Sequence, residues 1–352
     1  MKPRIAVVGA GAVGGYVGGH LFRLGHDVTL IDAWPEHVEA VRAGGLELYG
    51  MTEEERCTVR LPILHITEVQ EISKQRPIDI AIVSVKSYDT EWATTMIRQY
   101  LAPGGFVVSL QNCINEERIA GVVGWGRTVG AIAATISVDL FQAGHIRRTV
   151  PRGGANHTVF RVGEVHGRIT PRVRMLGEMI GGIDSVRVTT NLWGERWSKL
   201  CLNGMRNGVS AATGLPGNDM DRHDAIRRFS IRLGGQAVRI GQALGYQLED
   251  IGKLNPEKLA LASEGDAAAL EEVEAIMLAG TNSNARSNLQ RPSMGQDMLK
   301  GRRTEIEFMN GFVAAKGAEI GLPADAHATL TEIVQKVSRG EMEARPENIP
   351  AA

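Results

Sequence analysis

The 352-residue sequence predicts a mixed α/β fold, with an N-terminal domain of alternating strands and helices followed by an all-helical C-terminal domain. Three observations predict it. A glycine-rich turn joins a strand to a helix at the amino terminus. Short apolar runs then alternate with helical stretches to about residue 140, and from about residue 190 apolar residues recur at helical spacing.

The first stretch, "RIAVVGAGAVGGYVGGHLFRLGHDVTLID" at 4–32, reads as strand, tight turn, helix, turn and strand. Ile5 to Val8 supply a buried parallel strand, and Gly25 ends the helix before "DVTLID". Between them stands GxGxxG: Gly9 permits the turn, Gly11 lets a pyrophosphate approach backbone N–H groups, and Gly14 lets the helix pack on the sheet. With Ala10, Ala12 and Val13 these residues form the expected cofactor-binding turn of a Rossmann-type dinucleotide-binding domain. Asp32 closes the second strand, where a carboxylate accepts both adenosine-ribose hydroxyls and repels the extra phosphate of NADP. "DAWPEH" offers no adjacent lysine or arginine to reverse that preference, so NAD(H) is expected over NADP(H).

The alternation continues through strand "PIDIAIVSVK", helix "YDTEWATTMIRQYL", strand "GGFVVSLQN", helix "EERIAGVVG" and strand "TVGAIAATISVDL". Lys86 and Asn112 stand just past strand ends, at the carboxyl edge where parallel sheets bind ligands; taken singly, each also reads as an ordinary loop residue. After residue 140, "HIRRTV", "TVFRVGEV" and "SVRVTT" read as an antiparallel extension, and "HIRRTVPRGG" as a solvated basic hairpin or loop. The domain boundaries are set at 1–189, 190–338 and an untethered tail at 339–352.

The helical half opens with "WSKLCLNGMRN" at 197–207. Trp197, Leu200, Cys201 and Met205 can pack, while Lys199, Asn203 and Asn207 recur every four residues, on a stripe about 80° wide at 100° per residue. That stripe is either the wet side of a surface helix or a ligand-facing wall. A second polar constellation, "RPSMGQDMLKGRRTEIEFMNG" at 291–311, holds Ser293, Asp297 and Glu305; in isolation Glu305 reads as a first-turn helix acid or a partner for Arg302.

Composition narrows the function. Lysine plus arginine number 39 against 40 acidic residues, so a net charge of -1 gives no global field for nucleic acid or anionic membrane. Cys57, Cys113 and Cys201 lie outside any zinc or CxxC spacing, which points to a reduced compartment and to no metal site. No run reaches about 18 apolar residues, and the amino terminus reads as a glycine motif rather than a secretion signal, so the cytoplasm is the expected location.

The blocks "GAGAVG", "SVKSYDT", "QNCINEE", "KLCLNGMRN" and "SMGQDMLKGRRTEIEFMNG" occur in the order found in the ketopantoate reductase (2-dehydropantoate 2-reductase) family, which the chain resembles from residue 5 to about 330. The resemblance implies a Rossmann domain joined to a helical one, and NAD(P)-dependent reduction of 2-dehydropantoate to pantoate by a homodimer. It implies that Lys199 hydrogen-bonds the keto oxygen and donates a proton, and that Glu305 supports the site. Asn203, Asn207 and Ser293 match substrate-binding positions, Lys86 and Asn112 border the nicotinamide, and Asp297 matches an acid that is either structural or supports the site from behind. The chain departs from the family pattern at Cys113 and Asn115, where many relatives have glycine, and at Gln290, where an asparagine is usual. The segment at 252–288 is also longer and more acidic than the usual connection, a candidate for reshaping the pocket or a subunit contact. These departures and Asp32 leave open an NAD-linked catabolic dehydrogenase of another 2-hydroxy acid or secondary alcohol. A catalytically silent dinucleotide sensor is disfavoured, because sensing requires neither Lys199 nor Glu305.

Overall fold

The computed structural model describes residues 2–282 and 290–350. The chain divides into two compact units, Met1–Leu192 and Trp193–Ala352.

The first unit begins with β1 (Arg4–Val8), α1 (Ala12–Arg23), β2 (Asp27–Asp32) and α2 (Pro35–Gly44). Three short strands follow, β3 (Leu46–Tyr49), β4 (Cys57–Val59) and β5 (Ile63–His65), then β6 (Ile78–Val83), α3 (Thr90–Arg98), β7 (Leu101–Ser109), α4 (Glu116–Val123) and β8 (Thr128–Ala133). The unit closes with β9 (Val138–Gln142), β10 (His145–Arg148), β11 (Phe160–Glu164), α5 (Pro171–Gly181) and β12 (Val186–Thr189). Eight strands form the main sheet in the order β12-β11-β8-β7-β6-β1-β2-β5. It is parallel except where β11 runs against β8. Every residue of β1 is buried, because both faces of the sheet are covered: Ile5 and Val7 join the core shared with α1, and Ala6 and Val8 the core shared with α3.

A second sheet, β4-β3-β10-β9, corrects the expectation of a simple antiparallel extension. Strand β10 pairs with β9 and with β3, and β3 with β4, instead of lengthening the main sheet, and β12 lies parallel to β11. Helix α1 lies between the sheets. A Cβ on Gly18 would stand 2.6 Å from Leu30 of β2, and one on Gly19 would stand 3.1 Å from Leu46 and Leu48 of β3, which accounts for the repeated "GG". The basic hairpin is also not wholly solvated. Arg147 is exposed, but Arg148 is buried, paired with buried Asp184 at 2.7 Å and donating to the carbonyls of Val150 and Pro151. Asp184 also accepts from Gly153 N at 2.9 Å, so one buried ion pair shapes the loop after β10.

The second unit is helical: α6 (Leu192–Thr213), α7 (Gly217–Arg222), α8 (Asp224–Ala243), α9 (Pro256–Ser263), α10 (Ala267–Asn282), α11 (Ser293–Leu299), α12 (Ile306–Ile320) and α13 (Asp325–Ser338). The longer segment expected at 252–288 forms α9 and α10, and its residues 283–288 lie outside the described residues. Trp197 is fully buried, donates its indole N–H to the Ala237 carbonyl at 2.8 Å, and has the rings of Tyr246 and Phe312 beside it. The described residues after α13 are tied back to α6 where an untethered tail is expected. Arg345 N and Asn348 Nδ2 both donate to the Ala212 carbonyl, at 3.1 and 2.9 Å, and Ile349 is buried. These bonds satisfy a carbonyl in the last turn of α6, where intrahelical donors run out. Among the described residues no helix is long and apolar enough to cross a membrane.

Candidate functional site

The candidate residues divide between the units, the dinucleotide set in the first and the Lys199–Glu305 set in the second.

In the first unit the chain leaves β1 through Gly9, whose φ of +92° and whose missing Cβ, which would stand 2.8 Å from Val85 N, both demand glycine. Gly14 allows the closest approach, since a Cβ there would stand 2.0 Å from the Gly9 carbonyl. A Cβ on Gly11 would meet nothing within 4 Å: this position opens onto free space at the start of α1, whose first turn carries no acid. An open glycine before uncapped helix N–H groups fits the pyrophosphate of a dinucleotide. Ala12 and Val13 form the first turn and rest partly on the core.

Asp32 is fixed by two backbone donors, Ala10 N on Oδ2 at 2.7 Å and Trp34 N on Oδ1 at 2.9 Å. The next peptide is held as well, because His37 Nε2–H donates to Ala10 O at 3.0 Å while His37 Nδ1 accepts from Gly144 N at 2.9 Å. Burial pushes the His37 pKa below the usual imidazole range, against the opposing pull of Asp32, so the neutral ring that this bonding requires is the favoured form. Trp34 stacks on His37 with ring centroids 5.8 Å apart.

Lys86 lies just beyond β6, half-buried, and Asn112 just beyond β7. Cys113, next to Asn112, is buried with φ +63°, so it keeps a left-handed backbone that glycine adopts more readily. Thr135 and Ser137, which the sequence reading passed over, have φ of +55° and +40° at the carboxyl end of β8. Two strained non-glycine residues at the ligand edge of a parallel sheet have no signal in composition.

In the second unit the stripe on α6 is not a wet face. Asn203 and Asn207 are buried and Lys199 is half-buried. Asn207 Oδ1 accepts from Ser293 Oγ at 3.0 Å and from Met294 N at 3.4 Å, joining α6 to the exposed first residue of α11. The carboxamide Nδ2 of Asn207 is then the donor left to a ligand. Ser293 must turn its hydroxyl away from Asn207 to donate to a carboxylate, and Met294 N then holds the amide. Asp297 is buried on α11.

Glu305 is buried and immediately precedes α12. This helix reaches α6 across two glycines. A Cβ on Gly208 would stand 3.0 Å from Ile306 Cδ1 and 2.9 Å from Leu330 Cδ2, and Asn310 Nδ2 donates to Gly204 O at 3.0 Å. The fold thus brings the start of α12, the start of α11 and the Asn203–Asn207 segment of α6 together. Lys199 lies one turn earlier on α6, about 6 Å along its axis from Asn203. Asn310 also donates to buried His327 Nδ1 at 3.0 Å, and His327 Nε2–H donates to Leu233 O at 2.8 Å. Desolvation holds the His327 pKa down at about 4.

Gln290, half-buried, accepts Gly217 N at its carbonyl at 3.1 Å, and Arg206 pairs with Asp221 at 2.9 Å while donating to Gly217 O. These ties place α7, with its buried Asn218, against the chain that enters α11. Asn218 is a polar candidate that the sequence reading missed, because a six-residue helix has too few turns to show periodicity.

Residues 5–158 match the family model described as ketopantoate reductase PanE/ApbA, and residues 191–338 its C-terminal counterpart. The 2-dehydropantoate 2-reductase of Archaeoglobus fulgidus is 27% identical over 339 residues, covering 96% of this chain and 98% of that one. Among solved structures, a PanE/ApbA family ketopantoate reductase from Ralstonia eutropha JMP134 superposes with TM-score 0.76 at 26% identity, covering 96% and 99% of the two chains. A D-mandelate dehydrogenase in ternary complex with NADH and anilino(oxo)acetate has the same fold, with TM-score 0.78 at 21% identity over 96% of this chain and 98% of that one.

Proposed function

The chain belongs to the ketopantoate reductase family of nicotinamide-dependent oxidoreductases acting on CH–OH groups, and from that premise we propose that it interconverts 2-dehydropantoate and pantoate, with NAD(H) favoured over NADP(H). The observation that carries the substrate side is the Asn207–Ser293 bond, which joins the start of α11 to the helix that bears Lys199, where that helix also meets the Glu305 end of α12.

A bound reduced nicotinamide supplies the hydride. The keto oxygen then gains negative charge, which the Lys199 ammonium stabilises and protonates, with Glu305 orienting that ammonium. Asn203 and Asn207 hold the substrate without adding charge, and Ser293 binds its carboxylate end. Gly9, Ala10, Gly11, Ala12, Val13 and Gly14 receive the pyrophosphate, Asp32 the adenosine ribose, and Lys86 and Asn112 border the nicotinamide. The helical unit is proposed to pair as a homodimer, since apolar helical faces associate symmetrically.

A second reading keeps this mechanism and oxidises a different 2-hydroxy acid. The anchored Asp32 favours it, because an NAD-linked enzyme suits oxidation. Steady-state turnover of 2-dehydropantoate and a panel of 2-keto acids with both cofactors, and of the hydroxy acids in reverse, separates the two. Turnover of another acid with none on 2-dehydropantoate rejects the first reading.

A further inference from the structure

Strands β6 and β7 are parallel neighbours, with Val83 opposite Ser109. The last backbone bond between them runs from Leu110 N to Val83 O at 2.9 Å. Beyond that point side chains continue the pairing: Ser84 Oγ donates to Leu110 O at 3.1 Å, and Gln111 Nε2 donates to Val85 O and to Thr90 Oγ1, both at 2.8 Å. Asn115 Nδ2 then donates to Ser87 Oγ at 3.1 Å and to Asn112 O at 2.9 Å. Gln111, Ser87, Thr90 and Asn115 are all buried.

Two features separate Asn115 from an ordinary helix cap. It occupies the N-cap position of α4, where an asparagine commonly accepts a backbone N–H of the first turn, yet its side chain makes no such bond and reaches across to the other loop. Its Oδ1 is buried with no hydrogen-bond partner among the described residues, an arrangement that costs free energy and that packing alone would not select. The bonds of Nδ2 therefore set the geometry: one clasps the carbonyl of Asn112, the other clasps Ser87, next to Lys86. Gln111 makes the matching tie at Val85, on the other side of Lys86.

We propose that Gln111 and Asn115 are positioning residues that lock the Lys86 loop to the Asn112 loop, so that the two groups bordering the nicotinamide are set by one buried network rather than by either loop alone. The inference rests on the reading that this sheet edge receives the nicotinamide half of a dinucleotide. Neither residue need touch the cofactor. Loosening the network should affect the nicotinamide half and leave the adenosine half, held by the glycine turn and Asp32, as it was.

The test compares NADH with ADP-ribose, which lacks the nicotinamide, by calorimetry on the full-length protein and on Asn115→Ala, Gln111→Leu and Ser87→Ala. Asn115→Ala and Gln111→Leu should weaken NADH about tenfold with ADP-ribose unchanged, Ser87→Ala should weaken it less, and Asn115→Ala with Ser87→Ala should be no worse than Asn115→Ala alone. Equal weakening of both ligands, or unchanged NADH affinity in folded variants, overturns the proposal. Should Asn115→Ala not fold, Ser87→Ala, which removes the hydroxyl that accepts from Asn115, decides in the same terms. An unmodified protein that binds neither ligand rejects the cofactor reading itself, an outcome distinct from variants that bind normally.

Discussion

Asp32 Oδ2 accepts the Ala10 N–H at 2.7 Å, so the acid that ends β2 also holds the peptide that begins the glycine turn. On the proposed reading, recognition of the ribose and the shape of the pyrophosphate loop share one carboxylate. Asp32→Ala should lower the NADH over NADPH preference in kcat/KM by about tenfold or more, because it removes both the ribose acceptor and the charge that repels the 2′-phosphate. It should also weaken both cofactors, because Ala10 N and Trp34 N lose their acceptor. Catalytic efficiency that favours NADPH in the unmodified protein would contradict the assignment.

The α6–α12 contact allows a sharper structural test. Gly208→Ala places a methyl 2.9 Å from Leu330 Cδ2 and 3.0 Å from Ile306 Cδ1, so those buried side chains must shift, whereas Gly204→Ala meets its nearest neighbour, His327, at 3.4 Å. Urea unfolding should show a loss of about 1–3 kcal/mol for Gly208→Ala and a much smaller change for Gly204→Ala. Equal losses would mean that the two glycines are not distinguished by packing.

Acid sensitivity follows from His327. Its folded pKa of about 4 lies below its ordinary 6.5, so the unfolded chain binds the proton first. The stability this neutral ring contributes is fully present above pH 6.5 and is lost as pH falls toward 4, by about 3 kcal/mol in all. His20, also held at about 4 by burial and nearby arginines, adds a loss of the same sign. Unfolding free energy measured across this window should fall with acid, and His327→Gln should flatten part of the slope; an unchanged slope would rule out His327.

At Cys113 the backbone is held in the left-handed region. With φ at +63°, Cys113→Gly should keep NADH affinity within about twofold. Cys113→Val, β-branched at positive φ, should cost about 1–3 kcal/mol of stability. Thermal unfolding with NADH titration checks both, and a well-tolerated valine would contradict the strain.

The parts of this fold legible in the sequence are those whose chemistry is local. Gly9, Gly14 and Asp32 announce β1-α1-β2 because each turn and each close approach lies within one stretch of chain. The second sheet is not announced, since β3 pairs with β10 across about a hundred residues and β4 has only three residues. Arg148 looked solvated because its partner Asp184 stands on a distant loop. On α6 the helical period exposes the Lys199–Asn203–Asn207 stripe, but not that its asparagines are buried, because that depends on α11 and α12. Helix α9 had readable signals, the Asn255 cap and Pro256 at its first turn, whereas α7 and α11 are too short to show a period.

Lys199 carries the central claim, and steady-state kinetics of Lys199→Ala beside direct NADH binding tests it most directly. Turnover of the best 2-keto acid should fall by about 10² to 10⁴ while NADH affinity stays unchanged, as loss of a general acid predicts. Glu305→Ala should lose activity through the same site, and the double variant should lose less than the product of the two, because groups acting as a unit are not additive. Near-normal turnover by Lys199→Ala would contradict the account.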